Sequence, residues 1–192
     1  MSSTSDTKRL FKDHQQMVTD NMTTMLQPVP YMVGIPSNDV LILRAKLLLE
    51  ETLETIEALG VAVYVHNETR DCATEVCKGA DFSFHKEKPT LIVEVMDGLA
   101  DLEYVNLGTA VAFGVDLDPF FKEVHRSNMS KCWTDAEVAT LHDPELIIHM
   151  SPQFEPGGRK WVVLTKDGKY MKSPSYSPAD IQGMLKKQTA LP

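Results

Sequence analysis

The sequence predicts an all-α fold: a four- to five-helix bundle core with a small β or loop insertion and a short C-terminal hairpin tail. Three observations carry that expectation. Long segments place apolar residues at helical spacing, their ends carry cap chemistry, and β-branched or alternating runs are confined to two short stretches. With 192 residues and 43% hydrophobic content there is material for one domain with its own core. Residues 1–143 are expected to form it, with 60–89 as an insertion and 144–192 as a tail packing on the domain or on a partner subunit.

The elements follow in order. From Thr7 to Met25 a loose stripe of Leu10, Phe11, Met17, Val18, Met22 and Met25 marks a first helix, and the prolines at 28, 30 and 36 make the next stretch an extended connector. Ser37-Asn38-Asp39 supplies N-cap chemistry for a long second helix to about Leu59, with Gly60 placed for a left-handed C-cap. Val61-Ala62-Val63-Tyr64-Val65 and the alternating Asp81-Phe82-Ser83-Phe84-His85 suggest a hairpin or loop-rich insertion. A third helix spans Thr90 to Phe113 and closes at Gly114. Asp118-Pro119 restarts the chain as an N-cap acid and a first-turn proline, and Thr134 with Glu137 has the form of a capping box. Farther on, Asp167-Gly168 between Trp161–Leu164 and Lys169–Met171 signals a hairpin, and a last helix can start at Ser177-Pro178.

Charge excludes several classes of function. There are 27 acidic against 19 basic residues, a net charge of −8, so a broad nucleic-acid footprint is not expected. No apolar run approaches a membrane span and the first residues lack the core of a signal peptide, which makes a cytoplasmic protein the expectation. Cys72, Cys77 and Cys132 lack zinc-knuckle spacing and read as reduced thiols.

The acids are not scattered. In the second helix Glu50, Glu51, Glu54 and Glu57 fall within an arc of about 120°. The third helix brings Glu94, Asp97 and Asp101 to one side, with Gly98, Gly108 and Ala112 on the same face to admit a neighbouring helix. Leucines cover the remaining directions of the second helix, so it is expected to be buried along with its carboxylates. Two carboxylates about 5 Å apart repel by roughly 3 kcal/mol at an effective dielectric of 20. Several such pairs require something positive between them, and the two helices offer only Arg44 and Lys46, a turn or more away. Oxygen donors at this spacing suit a hard divalent cation, Mg²⁺ or Mn²⁺. A di-iron site is disfavoured, because no glutamate lies three residues before any of the six histidines. A single acidic helix face is commonly just solvated, and that reading stands beside the metal one.

These residues resemble the all-α NTP pyrophosphohydrolase superfamily, which includes MazG, dimeric dUTPase and phosphoribosyl-ATP pyrophosphohydrolase. The superfamily carries an E-E-x-x-E helix followed by an E-x-x-D helix. Here these read Glu50-Glu51-Thr52-Leu53-Glu54 and Glu94-Val95-Met96-Asp97, and the continuation through GVDLDPFFKEVHRSNMSK is similar to a MazG-like subgroup. The resemblance covers about residues 8 to 131, and the Lys-Ser-Pro-Ser-Tyr-Ser-Pro-Ala-Asp-Ile stretch of the tail is similar to the same subgroup. The stretch from Glu54 to Glu94 is longer than the family's usual loop.

The resemblance implies a hydrolase acting on phosphoric anhydrides, a nucleotide diphosphatase that cleaves between the α- and β-phosphates of a nucleoside triphosphate to give a monophosphate and pyrophosphate, with nucleotide-pool house-cleaning as one purpose. It implies Glu51, Glu54, Glu94 and Asp97 as Mg²⁺ ligands, Asp101 as a further ligand or an orienter, and Glu50 as the catalytic base toward water. Arg126 and Lys131 would supply charge for the pyrophosphate, with Asn128 and His125 as hydrogen-bond donors. Without the resemblance, these four read as a solvated helix C-terminus. Lys172 and Tyr176 fit a nucleotide contact or a packing role equally. A homodimer or dimer of dimers is expected. The alternatives are a dedicated dUTP or dCTP pyrophosphatase, a phosphoribosyl-ATP pyrophosphohydrolase, and a non-enzymatic helical module holding a structural cation.

Overall fold

The computed structural model describes residues 7–65, 82–155 and 158–189. The chain divides into two compact units, Met1–Val115 and Asp116–Pro192, a division that falls inside the stretch 1–143. Cys72 and Cys77 lie outside the described residues.

The first unit consists of α1 (Thr7–Thr24), α2 (Asn38–Ala58), a hairpin of β1 (Val61–Val65) and β2 (Phe82–Lys86), and α3 (Ile92–Ala112). Of the stripe expected on α1, Val18 and Met22 are buried, whereas Met17 and Met25 stay exposed. The helix ends on Leu26 at φ 57°, a left-handed residue that glycine usually supplies. The Ser37 hydroxyl accepts from the Val40 amide at the start of α2, and Gly60 at φ 75° stops that helix as its sequence predicts. The expected hairpin is present and antiparallel, pairing Val61 with Lys86 through Val65 with Phe82.

The hairpin also determines how the two long helices meet. The amides of Glu87 and Lys88 donate to the Gly60 carbonyl and that of Leu91 to Ala58. The chain therefore returns to the C-terminal end of α2 before α3 begins, and α3 runs back antiparallel. Two glycines record the approach. A Cβ at Gly98 would lie 2.6 Å from Thr55 Oγ1, and one at Gly108 would lie 2.9 Å from Arg44 Nη1. Both were expected to admit a neighbouring helix, and α2 is that helix. Arg44 is buried in the space, donating to Gln27 Oε1 at 3.0 Å, and burial lowers its pKa. Among the described residues of this unit three long helices are present, the last packing on both others, which does not by itself make up the expected four- to five-helix core.

The second unit holds α4 (Asp118–Met129), α5 (Asp135–Val138), the strands β3 (Ile147–Glu155) and β4 (Gly158–Leu164), and α6 (Ile181–Thr189). Asp118 is the first helical residue of α4, not its cap; Leu117 occupies the cap position and Asp116 Oδ1 accepts from the Asp118 amide. The capping box at Thr134 and Glu137 is formed as expected. The tail differs from its expectation. The Asp167-Gly168 turn exists, with Gly168 at φ 80° and the Met171 amide donating to Val163, but the main partner of β4 is β3, which the sequence did not announce. Trp133 and Trp161 exchange backbone hydrogen bonds, so the chain after α4 is tied to this sheet, and Val163 and Trp133 are buried beside it. The described residues are thus broadly helical with two two-stranded antiparallel sheets, one in the insertion and one in the tail. No described helix is long and apolar enough to cross a membrane.

Candidate active site

Thr55 and Gly98 are the hinge of the acidic cluster. Glu51 and Glu54 lie within one turn of Thr55 on α2, and Glu94, Asp97 and Asp101 lie within one turn of Gly98 on α3. The close passage at those two residues turns both acidic faces toward a common groove of about 550 Å³. Glu54, Glu57, Glu94, Asp97 and Asp101 line it, together with Lys88 and the apolar Ala58, Pro89 and Leu91.

Electrostatics ties Glu50 and Glu51 to the same place. The Glu51 carboxyl is pushed up from its ordinary value, first by burial and then by the negative charges of Asp101, Glu54, Glu50 and Asp97. Two of those four charges come from the opposite helix. The Glu51 carboxylate therefore feels neighbours across the helix pair, which a row on one solvated helix would not produce.

One expectation is corrected. The carboxylates are not buried rows: Glu51 is half-buried, and Glu50, Glu54, Glu94, Asp97 and Asp101 are exposed. Only one side of α2 is covered, through Arg44, Thr55 and Ala58, while Ile42, Leu49 and Leu53 are half or more exposed. An apolar composition all round the helix cannot reveal which sides a single chain has elements to cover.

The donor set is all oxygen and multiply negative, the chemistry a hard divalent cation takes. Among the described residues no three His, Cys, Asp or Glu side chains close on a single point as oriented. The residues thus fit such an ion by donor type and charge, with side-chain rotation left to complete a coordination shell.

A cation that a search confined to the helices misses stands in this groove. Lys88, from the end of the insertion, bonds Glu57 Oε1 at 3.0 Å. The pair is well exposed and worth at most about 1 kcal/mol. A basic residue just before the E-x-x-D helix was the available signal.

The basic candidates lie in the second unit. Lys131 Nζ bonds Asn128 Oδ1 at 2.7 Å, so these two are brought together. Arg126 is engaged otherwise, clasping Glu123 through Nε at 2.9 Å and Nη2 at 2.8 Å and donating to the Pro178 carbonyl. Glu123 is pulled down to about 2 by Arg126 and by the Asp180 amide. His125 is exposed on the same helix.

Two antiparallel helices gather carboxylates along one groove of a helical scaffold. A model of the phosphoribosyl-ATP pyrophosphohydrolase family matches residues 11–128, more than half of the sequence, so the chain belongs to that family, within the MazG-like NTP pyrophosphohydrolase superfamily. It is accordingly a hydrolase acting on phosphoric anhydrides, a pyrophosphohydrolase. The match takes in every acidic candidate as well as His125, Arg126 and Asn128, and ends before Lys131. No curated protein matches the chain.

Proposed function

We propose that this protein is a Mg²⁺-dependent nucleoside triphosphate pyrophosphohydrolase that cleaves between the α- and β-phosphates, releasing a nucleoside monophosphate and pyrophosphate. The observation that supports this reading best is the Glu51 carboxyl, which feels carboxylates of both helices, next to a groove lined by Glu54, Glu57, Glu94, Asp97 and Asp101. Glu51, Glu54, Glu94 and Asp97 are the ligands we assign to Mg²⁺, with Mn²⁺ as a substitute, and Asp101 is a further ligand or an orienter. Such an ion, when bound, neutralises phosphate oxygens and polarises the bridging bond. Glu50, which adds to the field at Glu51 but does not line the groove, accepts the proton of the attacking water, so hydroxide adds to phosphorus as the bridging oxygen departs with pyrophosphate. Lys131 and Arg126, once Arg126 is released from Glu123, are the residues we assign to the charge of the pyrophosphate, with Asn128 and His125 as hydrogen-bond donors.

A second substrate is favoured by the family description: phosphoribosyl-ATP, split at the same bond. One assay separates the readings. The purified chain is incubated with Mg²⁺ and a panel containing the common ribo- and deoxyribonucleoside triphosphates, dUTP, dCTP and phosphoribosyl-ATP, and products are scored as pyrophosphate or orthophosphate. Pyrophosphate is expected; orthophosphate as the first product would refute α–β cleavage, and no turnover of any member would leave the structural-cation module as the better description.

We further assign the chain to the cytoplasm, in keeping with the free thiol of Cys132, and to a homodimer or dimer of dimers completing a four-helix arrangement. Ile42, Leu49, Leu53, Ile92, Val93 and Met96 are half or more exposed along α2 and α3, and covering each gives about 1.5–3 kcal/mol when complete. Residues 1–143 would act as the catalytic domain and 144–192 as the packing tail. Light scattering on the eluting peak of a sizing column checks the assembly, with a monomer at micromolar concentration as the contrary result.

A further inference from the structure

The acidic groove does not end at Glu57 and Lys88. Both residues also line a second cavity, of about 250 Å³, where α2 runs into the hairpin. Its walls are apolar, with Leu53 and Ile56 from the last turns of α2 and Val61, Ala62 and Val63 from β1. Another cavity of this unit, between α1 and α3, has no lining residue in common with the groove and is not a continuation of it. An apolar cavity of about 150 Å³ takes a benzene molecule, so the one beside the groove has room for a planar heterocycle.

The backbone holds these walls in place. The Gly60 carbonyl accepts from the amides of Glu87 at 2.9 Å and Lys88 at 3.0 Å, and the Thr90 hydroxyl donates to the Leu59 carbonyl at 3.0 Å. A Cβ at Gly60 would collide with the Lys88 carbonyl, so the end of α2 is closed tightly on the returning chain. Little ordering is left for a ligand to impose. The polar edge has a definite sign. Glu87 lines the cavity but not the groove, and the Tyr64 hydroxyl fixes it by donating to Oε1 at 2.6 Å. An ionised carboxylate has room for further donors and no proton to give. Glu57 and Lys88, bonded to each other, stand where cavity and groove meet.

We infer that this cavity at the root of the hairpin receives the base of the substrate, and that Glu87 selects bases with an exocyclic amino group, cytosine or adenine, over uracil. The inference rests on the proposed triphosphate reaction: with the phosphates in the groove, the base of the same molecule lies one sugar away, and this cavity is an apolar surface continuous with that groove. A ring set against Leu53, Ile56 and Val63 leaves water, as apolar walls favour. Glu87, on the side away from the groove, meets the far edge of that ring. An amino group there donates to the carboxylate, whereas uracil presents a carbonyl oxygen, and two acceptors facing one another leave both unpaired.

Saturation-transfer NMR on the full chain with cytidine, adenosine and uridine, in the absence of phosphate and metal, reads the cavity alone. Cytidine and adenosine are expected to receive saturation, most strongly at their base protons, and uridine about fivefold less or weaker still. Val61→Phe, which fills the cavity, should remove the signals in a protein with unchanged circular dichroism; Ala62→Leu is the smaller plug if that variant does not fold, with the same expectation. Glu87→Gln, whose amide donates as well as accepts, should bring uridine to within about twofold of cytidine. With Mg²⁺ and CTP or ATP, the plugged variant should raise KM by about tenfold while kcat stays within about threefold. Signals that survive in the folded plugged variant overturn the subsite, and uridine saturating as strongly as cytidine in the natural chain overturns the selection by Glu87. Turnover without any nucleoside signal overturns the subsite and leaves the reaction standing. Selective signals in a protein that turns over no triphosphate keep the subsite and discard the reaction instead.

Discussion

Glu51 in the first unit and Glu123 in the second are both half-buried glutamates on helices, and their surroundings drive them apart. Glu123 has a guanidinium and a backbone amide, and its pKa falls to about 2; Glu51 is raised first by burial and then by four other carboxylates. Glu137 behaves like Glu123, accepting from Thr134 and Ser175. A carboxylate that the fold uses to hold itself together is given donors. One surrounded by its own kind is a cost to the fold, which a bound cation would offset under the proposed function.

The comparison can be broken most directly at Glu50. Glu50→Gln removes one proton acceptor and leaves the other carboxylates, so turnover should fall by about 10²-fold or more while the melting temperature holds. Unchanged turnover removes Glu50 from the mechanism. The next effect is thermodynamic: Mg²⁺ at about a hundred times its Kd should raise stability by about 2.7 kcal/mol, and Glu51→Gln combined with Asp97→Asn should abolish most of that gain. Thermal melts with and without the ion measure it. If the double variant is stabilised as fully as the natural chain, the ion binds elsewhere.

The helix pair itself comes next. Gly98→Ala places a methyl 2.6 Å from Thr55 Oγ1 and 3.3 Å from Thr55 Cα, and the Cα belongs to a helix backbone that cannot easily yield. Overpacking of about 1–3 kcal/mol, offset by about 1 kcal/mol of helix propensity, should leave a net loss in denaturant titration, and Thr55→Ala should recover part of it. In the second unit Thr134→Ala should cost about 1 kcal/mol through the lost cap of α5. Both tryptophans, Trp133 and Trp161, belong to this unit, so their fluorescence follows it specifically.

The smallest expected effect is on pH dependence, where the two glutamates have opposite signs. Glu123 is depressed, so its contribution is present above its ordinary 4.5 and is lost as pH falls toward about 2. Glu51 is raised, so its contribution is full below 4.5 and is lost as pH climbs through its elevated value. Acid titration of tryptophan fluorescence should therefore show a loss between about pH 4.5 and 2 that Glu123→Gln removes. An identical acid transition in that variant would show that Glu123 contributes nothing to it.

Much of the candidate site was legible because helical periodicity is a local property. The spacing of Glu50, Glu51 and Glu54, and of Glu94, Asp97 and Asp101, places each set on one side whatever the rest of the chain does. Gly98 and Gly108 were legible as points of approach for the same reason. What surrounds those sides is not local. That α2 keeps Leu49 and Leu53 in water, that Lys88 reaches Glu57, and that Arg126 turns to Glu123 depend on which segments return to each helix. Strand β3 was not announced because Ile147-Ile148 is too short an apolar run to mark a strand by itself, and its pairing with β4 is not a local property.

By itself, then, the order of residues determined the helices, their caps at Ser37, Gly60 and Thr134, the hairpin at 61–86 and the sidedness of the acids, since each depends on neighbours within a turn or a strand pair. Tertiary structure alone decided that the two acidic sides share a groove and that Arg126 is bound to Glu123 and to the Pro178 carbonyl of the tail. The physical reason is that Coulomb fields and hydrogen bonds act through space, and distance through space is set only when the chain folds back on itself.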